Sequence, residues 1–427
     1  MKNILLKNCK IPERTGNSYQ IKDILTGGSD DKRIILAVES KIIPDSDTEI
    51  YDARSHIVTP AFIDTHCHLR DPGFTEKEDI ITGTAAALAG GYSAVVAMPN
   101  TNPVMDNSDT LDYVTSKAKS EGHCTVYPTA AITVGQKGKE LCDFETLSAH
   151  GAVAFTDDGR PVADAALMWE AMKICADHGY LIMSHPEELS LAEGGVMNFG
   201  VVSKRLGVKG IPNLAEDLAI AREIIIAEET GCRLHLAHVS TKTGMQLVRE
   251  AKKRGVKVTC ETCPHYFSFT DEDVVYYGTN AKMNPPLRSR KDLEAVIEAI
   301  KDGTVDTIST DHAPHTEKQK SHGLTDSPNG ITGLQTAFSA GITNLVIPGH
   351  IKLHRLIELM AYNPAAVLGL DVSLKVGNPA DINVIDETAQ IIIGREDIKS
   401  KSYNTPFLGQ PLYGKIEFMI RSTTNGI

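Results

Sequence analysis

The sequence predicts an α/β fold: an eight-stranded parallel (β/α)8 TIM-like barrel carrying a small β domain built from its two flanks. Three observations lead there. From residue 60 onward, short apolar, β-branched runs alternate with longer helix-patterned segments, about eight times over. Nearly every one of those runs ends in a polar residue suited to a metal or a ligand, as the C-terminal rim of a barrel requires. The two flanks read instead as strands separated by turn residues. A doubly wound sheet would gather its ligands at one switch point, whereas here they recur along the whole series.

The elements follow in order. The first flank holds "KNILLKN", "RIILAVES" and "EIYDARSHIVTP". The barrel strands are "AFIDTHCH", "YSAVVAMPN", "TVYPTAAI", "GAVAFTDD", "YLIMSHPE", "CRLHLAHVS", "VKVTCETCPH" and "VDTISTDHAPH". Between most of them lie helical patterns such as "SDTLDYVTSKAKSEG" and "ADAALMWEAMKICADHG", several ending in Gly as helix C-termini often do. The last flank returns to strands with "NPADINVID", "AQIIIG" and "YGKIEFMI". The expected division is therefore 1–58 plus 373–427 as the small β domain and 59–372 as the catalytic barrel.

Bulk properties narrow the function. A chain of 427 residues suits one barrel-sized domain and a smaller one. With 41% hydrophobic and 23% charged residues it is an ordinary globular sequence, and a net charge of −12 lacks the basic face a nucleic-acid binder needs. The N-terminal apolar run is too short and too charged for a signal peptide, and no stretch approaches the roughly 18 apolar residues of a membrane helix. The eight cysteines read as reduced thiols in the cytoplasm. Cys260 and Cys263 form one CxxC with no second pair, so they read as core thiols of a strand.

The chemistry concentrates at the strand ends. In "FIDTHCHLRDPG", residues two apart point the same way, so His66 and His68 can grip one ion and Arg70 can face the same cavity. His185, His238 and Asp311 end later strands, and Asp157-Asp158 ends the fourth. Imidazoles and carboxylates without thiolate suit zinc or a similar divalent ion. Four histidines and two aspartates exceed one open site and suffice for two ions sharing a carboxylate. Asp157 and Asp158 are the candidates, and as strand neighbours only one can bridge.

These residues, with "MPNTNP", "AFTDDG", "AHVSTK", "KMNPPLR", "TDHAPH" and "SKSYNTPF", resemble the cyclic-amidohydrolase group of the amidohydrolase superfamily, and within it the long bacterial dihydroorotases. The resemblance runs from about residue 48 to residue 415. It implies His66 and His68 at a first metal, His185 and His238 at a second, Asp158 as the bridge, and Asp311 as terminal ligand and general acid/base. No lysine occurs in "HGAVAFTDDGR", which excludes a lysine carbamate there. Arg70, Asn100, Asn284 and His315 resemble the substrate-binding residues, and Asn329-Gly330 the backbone that meets the ring. The chain departs from the pattern at Pro186, at Asn329 and in "CETCPHYF", the last being closer to allantoinases.

The resemblance implies reversible cyclisation of N-carbamoyl-L-aspartate to (S)-dihydroorotate, a step of pyrimidine biosynthesis. In the hydrolytic direction a metal-bound hydroxide attacks the ring amide and Asp311 moves the proton. Arg70 supplies the guanidinium for the substrate carboxylate, with Asn100 and His315 completing the clamp. Neutral-ring hydrolases, allantoinase or dihydropyrimidinase, are the alternative, and an inactive partner of aspartate transcarbamoylase would lack ligands that are all present here. Residues 315–330 are expected to form a mobile lid. The remaining histidines, among them His123, His150, His178, His265 and His322, are expected to be structural or solvent residues. The resemblance also implies a homodimer and leaves association with aspartate transcarbamoylase open.

Overall fold

A computed structural model describes residues 2–13, 18–29, 32–54 and 56–423; the remainder of the two flank assignments, including Met1 and residues 424–427, lies outside the described residues. The barrel positions are filled by Phe62–Cys67, Tyr92–Ala97, Thr125–Pro128, the single bridged residue Phe155, Leu181–Ser184, Arg233–Leu236, Val258–Thr262 and Thr307–Ile308. The paired strands all run parallel. Phe155 bridges Ala130 on one side and Ile182 on the other, and a parallel bridge from Cys67 to His312 closes the ring. These are the eight runs expected from the sequence.

The fourth run is the one that differs. "GAVAFTDD" hydrogen-bonds to both neighbours through Val153, Ala154, Phe155 and Thr156, yet only Phe155 sits in a regular bridge. Just beyond it the Asp157 carboxylate accepts from the Ile132 and Thr133 amides at 2.8 and 3.1 Å. The end of this strand is thus fixed by a side chain bonding to backbone rather than by a ladder.

The outer helices start where short polar side chains can cap them. Asp79 accepts from Thr82 N ahead of Ile80–Ala89, Asn107 from Thr110 N ahead of Ser108–Glu121, and Asp164 from Ala166 and Leu167 N ahead of Ala165–His178. Gly179 and Gly231 end their helices in the left-handed conformation that only glycine adopts without strain.

Both flanks meet in one sheet. Its strands run in the order Pro411–Ile420, Ile382–Ile392, Ile57–Pro60, Ile4–Pro12, Tyr19–Ser29 and Lys32–Glu39, with Glu49–Asp52 pairing alongside Ile4–Pro12. "NPADINVID" and "AQIIIG" merge into the single strand Ile382–Ile392, which shifts register between Asp386 and Gln390. Ile382–Ile385 pairs with Ile57–Pro60, so the sheet adjoins the strand that leads directly into the first barrel strand. Phe62, buried at that junction, packs between Tyr92 and Phe338. The other face of the barrel, where its strands end, is left for chemistry.

Candidate metal centre

Six side chains converge at the carboxyl ends of the barrel strands, all of them buried: His66, His68, Asp158, His185, His238 and Asp311. They form three overlapping groups whose ligand atoms lie within 4.8 Å of one another: His66, His68 and Asp158; Asp158, His185 and His238; His66, His238 and Asp311. Asp158 sits between the two histidine pairs. Its Oδ1 lies 3.3 Å from His66 Nε2 and 3.6 Å from His185 Nδ1, and its Oδ2 lies 3.6 Å from His68 Nε2. Asp311 Oδ1 is 3.0 Å from His68 Nε2 and 3.6 Å from His66 Nε2. Asp157 points elsewhere, to Ile132 and Thr133, which separates the two neighbours that the strand pattern alone left open.

The donor set fits divalent cations. His66 Nε2, His185 Nε2 and His238 Nδ1 are buried nitrogens without a hydrogen-bond partner, and buried polar atoms are ordinarily satisfied. Two imidazole nitrogens, His185 Nδ1 and His238 Nε2, face each other at 2.8 Å beside the Asp158 carboxylate. Nitrogen and oxygen donors without thiolate match zinc and its neighbours. The backbone is unusual at the same place: Arg70, His238 and Asp311 adopt φ of 59°, 36° and 44°, a left-handed region that costs of order 1–3 kcal/mol per residue and gathers at functional sites.

Charge compensation is strong. Burial pushes the His66 imidazole down, but Asp158, Asp311 and Glu261 outweigh it and hold it well above its ordinary value. Burial pushes the Asp158 and Asp311 carboxyls up, and the surrounding imidazoles override this and keep both below the usual carboxylate range.

Glu261 is a residue the sequence reasoning missed. It is fully buried, accepts from His66 Nδ1 at 2.7 Å and from Thr65 Oγ at 2.7 Å, and lies 3.1 Å from His235 Nε2. It therefore fixes the His66 tautomer and aims Nε2 at the cluster. The available signal was a lone carboxylate inside the apolar strand "VKVTCETC". Glu187 was missed too; its Oε2 lies 3.6 Å from His185 Nε2 and its Oε1 accepts from Asn284 Nδ2 at 3.0 Å.

The expected substrate residues flank this cluster unevenly. Asn100 spends its amide on the cluster, with Oδ1 2.9 Å from His68 Nδ1 and Nδ2 3.3 Å from Asp158 Oδ2. Arg70 donates from Nε to Pro314 O at 3.3 Å and lies 3.4 Å from His315. Burial pushes its guanidinium down to about 10, so it stays a cation at neutral pH. His315 Nε2 lies 2.8 Å from Asn329 O, which assigns the ring proton to Nε2 and leaves buried Nδ1 without a partner. Burial, then Arg70, pushes its pKa down to about 2, so the ring is neutral. Gly330 donates to Lys282 O at 2.9 Å. The segment 315–330 contains the short helices Glu317–Lys320 and Gly323–Asp326 and is tied down by Lys320 Nζ, which donates to Pro328 O and Gly330 O at 3.0 and 2.9 Å. Of the histidines set aside, His265 is buried near the cluster, where burial pushes it down to about 3.

With this geometry in view, the chain is similar to known proteins throughout. Residues 55–244 match a family described as Dihydro-orotase-like. A dihydroorotase of Acetivibrio thermocellus is 45% identical over 418 residues, covering 98% of this chain and 97% of its own. A dihydroorotase of Geobacter metallireducens is 47% identical over 419 residues, covering 98% of each. Among solved structures, the L-hydantoinase (dihydropyrimidinase) of Arthrobacter aurescens superimposes with a TM-score of 0.87 at 24% identity, covering 99% of this chain and 95% of that one, and so shares its fold. The chain belongs to the dihydroorotases, metal-dependent cyclic amidohydrolases built on a (β/α)8 barrel.

Proposed function

We propose that the chain catalyses the reversible cyclisation of N-carbamoyl-L-aspartate to (S)-dihydroorotate and water, at a site whose residues would hold two zinc ions with Asp158 common to both. The observation that carries the metal arrangement is the position of the Asp158 carboxylate, with one oxygen toward His66 and His185 and the other toward His68. His66 and His68 would hold the first ion and His185 and His238 the second, with Asp311 completing the set. Bound there, the ions supply Lewis acidity, which lowers the pKa of a water and polarises the ring carbonyl.

The chain's own residues do the rest. Asp311, kept ionised by its imidazole neighbours, accepts the proton of the attacking water and hands it to the leaving ring nitrogen. In cyclisation it runs the same transfer backward. Glu261 holds His66 in register throughout. Arg70 binds the substrate carboxylate through its charge and its unspent guanidinium N–H groups. His315 and Asn100, the latter also on His68, complete that clamp, while the Asn329-Gly330 backbone meets the ring and Asn284 orients it from the Glu187 side. The barrel, 59–372, carries these residues, and the described residues of 1–58 and 373–427 supply the supporting β domain. All eight cysteines are free thiols, which fits a reducing cytoplasm, and no helix among the described residues is long and apolar enough to cross a membrane.

The test is turnover of dihydroorotate by zinc-loaded protein, followed by loss of ring absorbance, with allantoin and dihydrouracil in parallel. Dihydroorotate alone should react. Turnover of a neutral ring instead would remove Arg70 and His315 from the substrate assignment.

A further inference from the structure

We propose that Asn404 is a positioning residue for the ring-binding side of the site. The segment between Ile382–Ile392 and Pro411–Ile420 leaves the terminal sheet and reaches the barrel rim, where the Ser402 hydroxyl donates to Lys77 O at 2.7 Å. Buried Asn404 then joins the two ends of the 313–332 loop. Its Oδ1 accepts from the His315 amide at 3.0 Å, and its Nδ2 donates to Ala313 O at 3.1 Å and Gly330 O at 2.9 Å. Its own carbonyl accepts from the Thr332 amide at 2.9 Å. The three side-chain bonds span 89, 91 and 74 positions of sequence, and they add to the bonds the segment makes within itself, Ala313 N to Ile331 O at 2.9 Å and Lys320 Nζ to Gly330 O at 2.9 Å.

The chemistry singles out asparagine. One carbonyl oxygen and one NH2 on the same short side chain serve an amide and two carbonyls at once, and aspartate or leucine of similar shape lacks those donors. The amide is spent on backbone, so Asn404 acts through His315 and Gly330 and not by touching the ring. The fit is close: a Cβ on Gly330 would lie 2.3 Å from Ala313 O and 2.7 Å from His315 Cδ2. The pin therefore fixes the His315 and Gly330 backbones relative to each other, and with the His315 Nε2–Asn329 O bond it holds the imidazole against that backbone. This inference rests on the proposed substrate-binding role of those two residues.

Asn404→Asp is the sharpest variant, because it keeps the acceptor for His315 and turns a carboxylate on two carbonyls. KM for dihydroorotate should rise about tenfold, and competition by orotate, the planar analogue with the same carboxylate, should weaken by the same factor. Within that variant kcat should stay within about threefold and bound zinc should match the wild type. KM and orotate affinity at wild-type values, or a loss confined to kcat or to zinc content, would overturn the proposal. Should Asn404→Asp not fold, Asn404→Ser, which can keep one donor, should raise KM by about threefold, and a wild-type KM there overturns the proposal equally. A wild-type chain that does not turn over dihydroorotate brings down the ring-site reading and this inference together. Normal wild-type turnover with normal KM in the variants removes the pin alone.

Discussion

The metal side and the ring side of the rim are held in opposite ways. The metal side is built by residues at the ends of barrel strands, aimed by side chains of the same barrel: buried Glu261 on His66, and half-buried Asn100 on His68 and Glu187 beside His185. The ring side is built by a loop, 313–332, fastened through its backbone carbonyls by Lys320 and Asn404. Strand ends are placed by the fold as a whole. The loop is placed by a few hydrogen bonds, and single substitutions can shift it without disturbing the metals.

The comparison breaks most visibly at Asp158. Asp158→Ala removes the oxygens facing both histidine pairs, so elemental analysis should show less than about half the wild-type metal and activity should fall by at least about a thousandfold. His66→Ala should behave alike. Full metal content in Asp158→Ala would mean that the two pairs bind independently and that nothing is shared across this carboxylate.

Arg70→Met tests the other side. Metal content should be unchanged while KM for dihydroorotate rises about a hundredfold, because a bidentate charged contact to the carboxylate is lost. Near-normal kinetics would place the carboxylate elsewhere. Glu261→Gln sharpens the metal side. The amide cannot accept as strongly from His66, and removal of such supporting partners typically weakens metal affinity about 10–100-fold, measurable by chelator competition. A variant that holds zinc as tightly as wild type would reduce Glu261 to packing.

The two sides also differ in how far the sequence shows them. The metal residues sit at a repeated place in a strand–helix unit, so periodicity alone collects His66, His68, His185, His238 and Asp311. The choice between Asp157 and Asp158 is not in that pattern; it depends on the Ile132 and Thr133 amides taking Asp157 away. Glu261 was hidden because a carboxylate in an apolar strand has no meaning until His66, 195 positions earlier, is folded against it. The fastening of the ring side is less legible still. Lys320 lies in a polar stretch, "HTEKQKSHG", that reads as exposed, yet its ammonium is buried, and its partners are backbone carbonyls, which carry no residue signature.

That buried ammonium gives the smallest of these effects and the one that separates the two sides by pH. Burial, then the neighbouring Lys282, pushes the Lys320 pKa from 10.5 down to about 7. Between those values the unfolded chain holds a proton that the folded chain has released. Stability then rises with pH across the window, and the full penalty of burying the charge applies below about pH 7. Lys320→Met has no proton to lose, so the melting temperature of the wild type relative to the variant should climb by a few degrees from about pH 6.5 to about pH 9. Zinc content should stay equal in both, since no metal-side residue touches Lys320. A flat or falling difference would show that the carbonyls of Pro328, Gly330 and Lys282 keep the ammonium charged against its burial, making the ring side a fixed frame as rigid to pH as the cluster it faces.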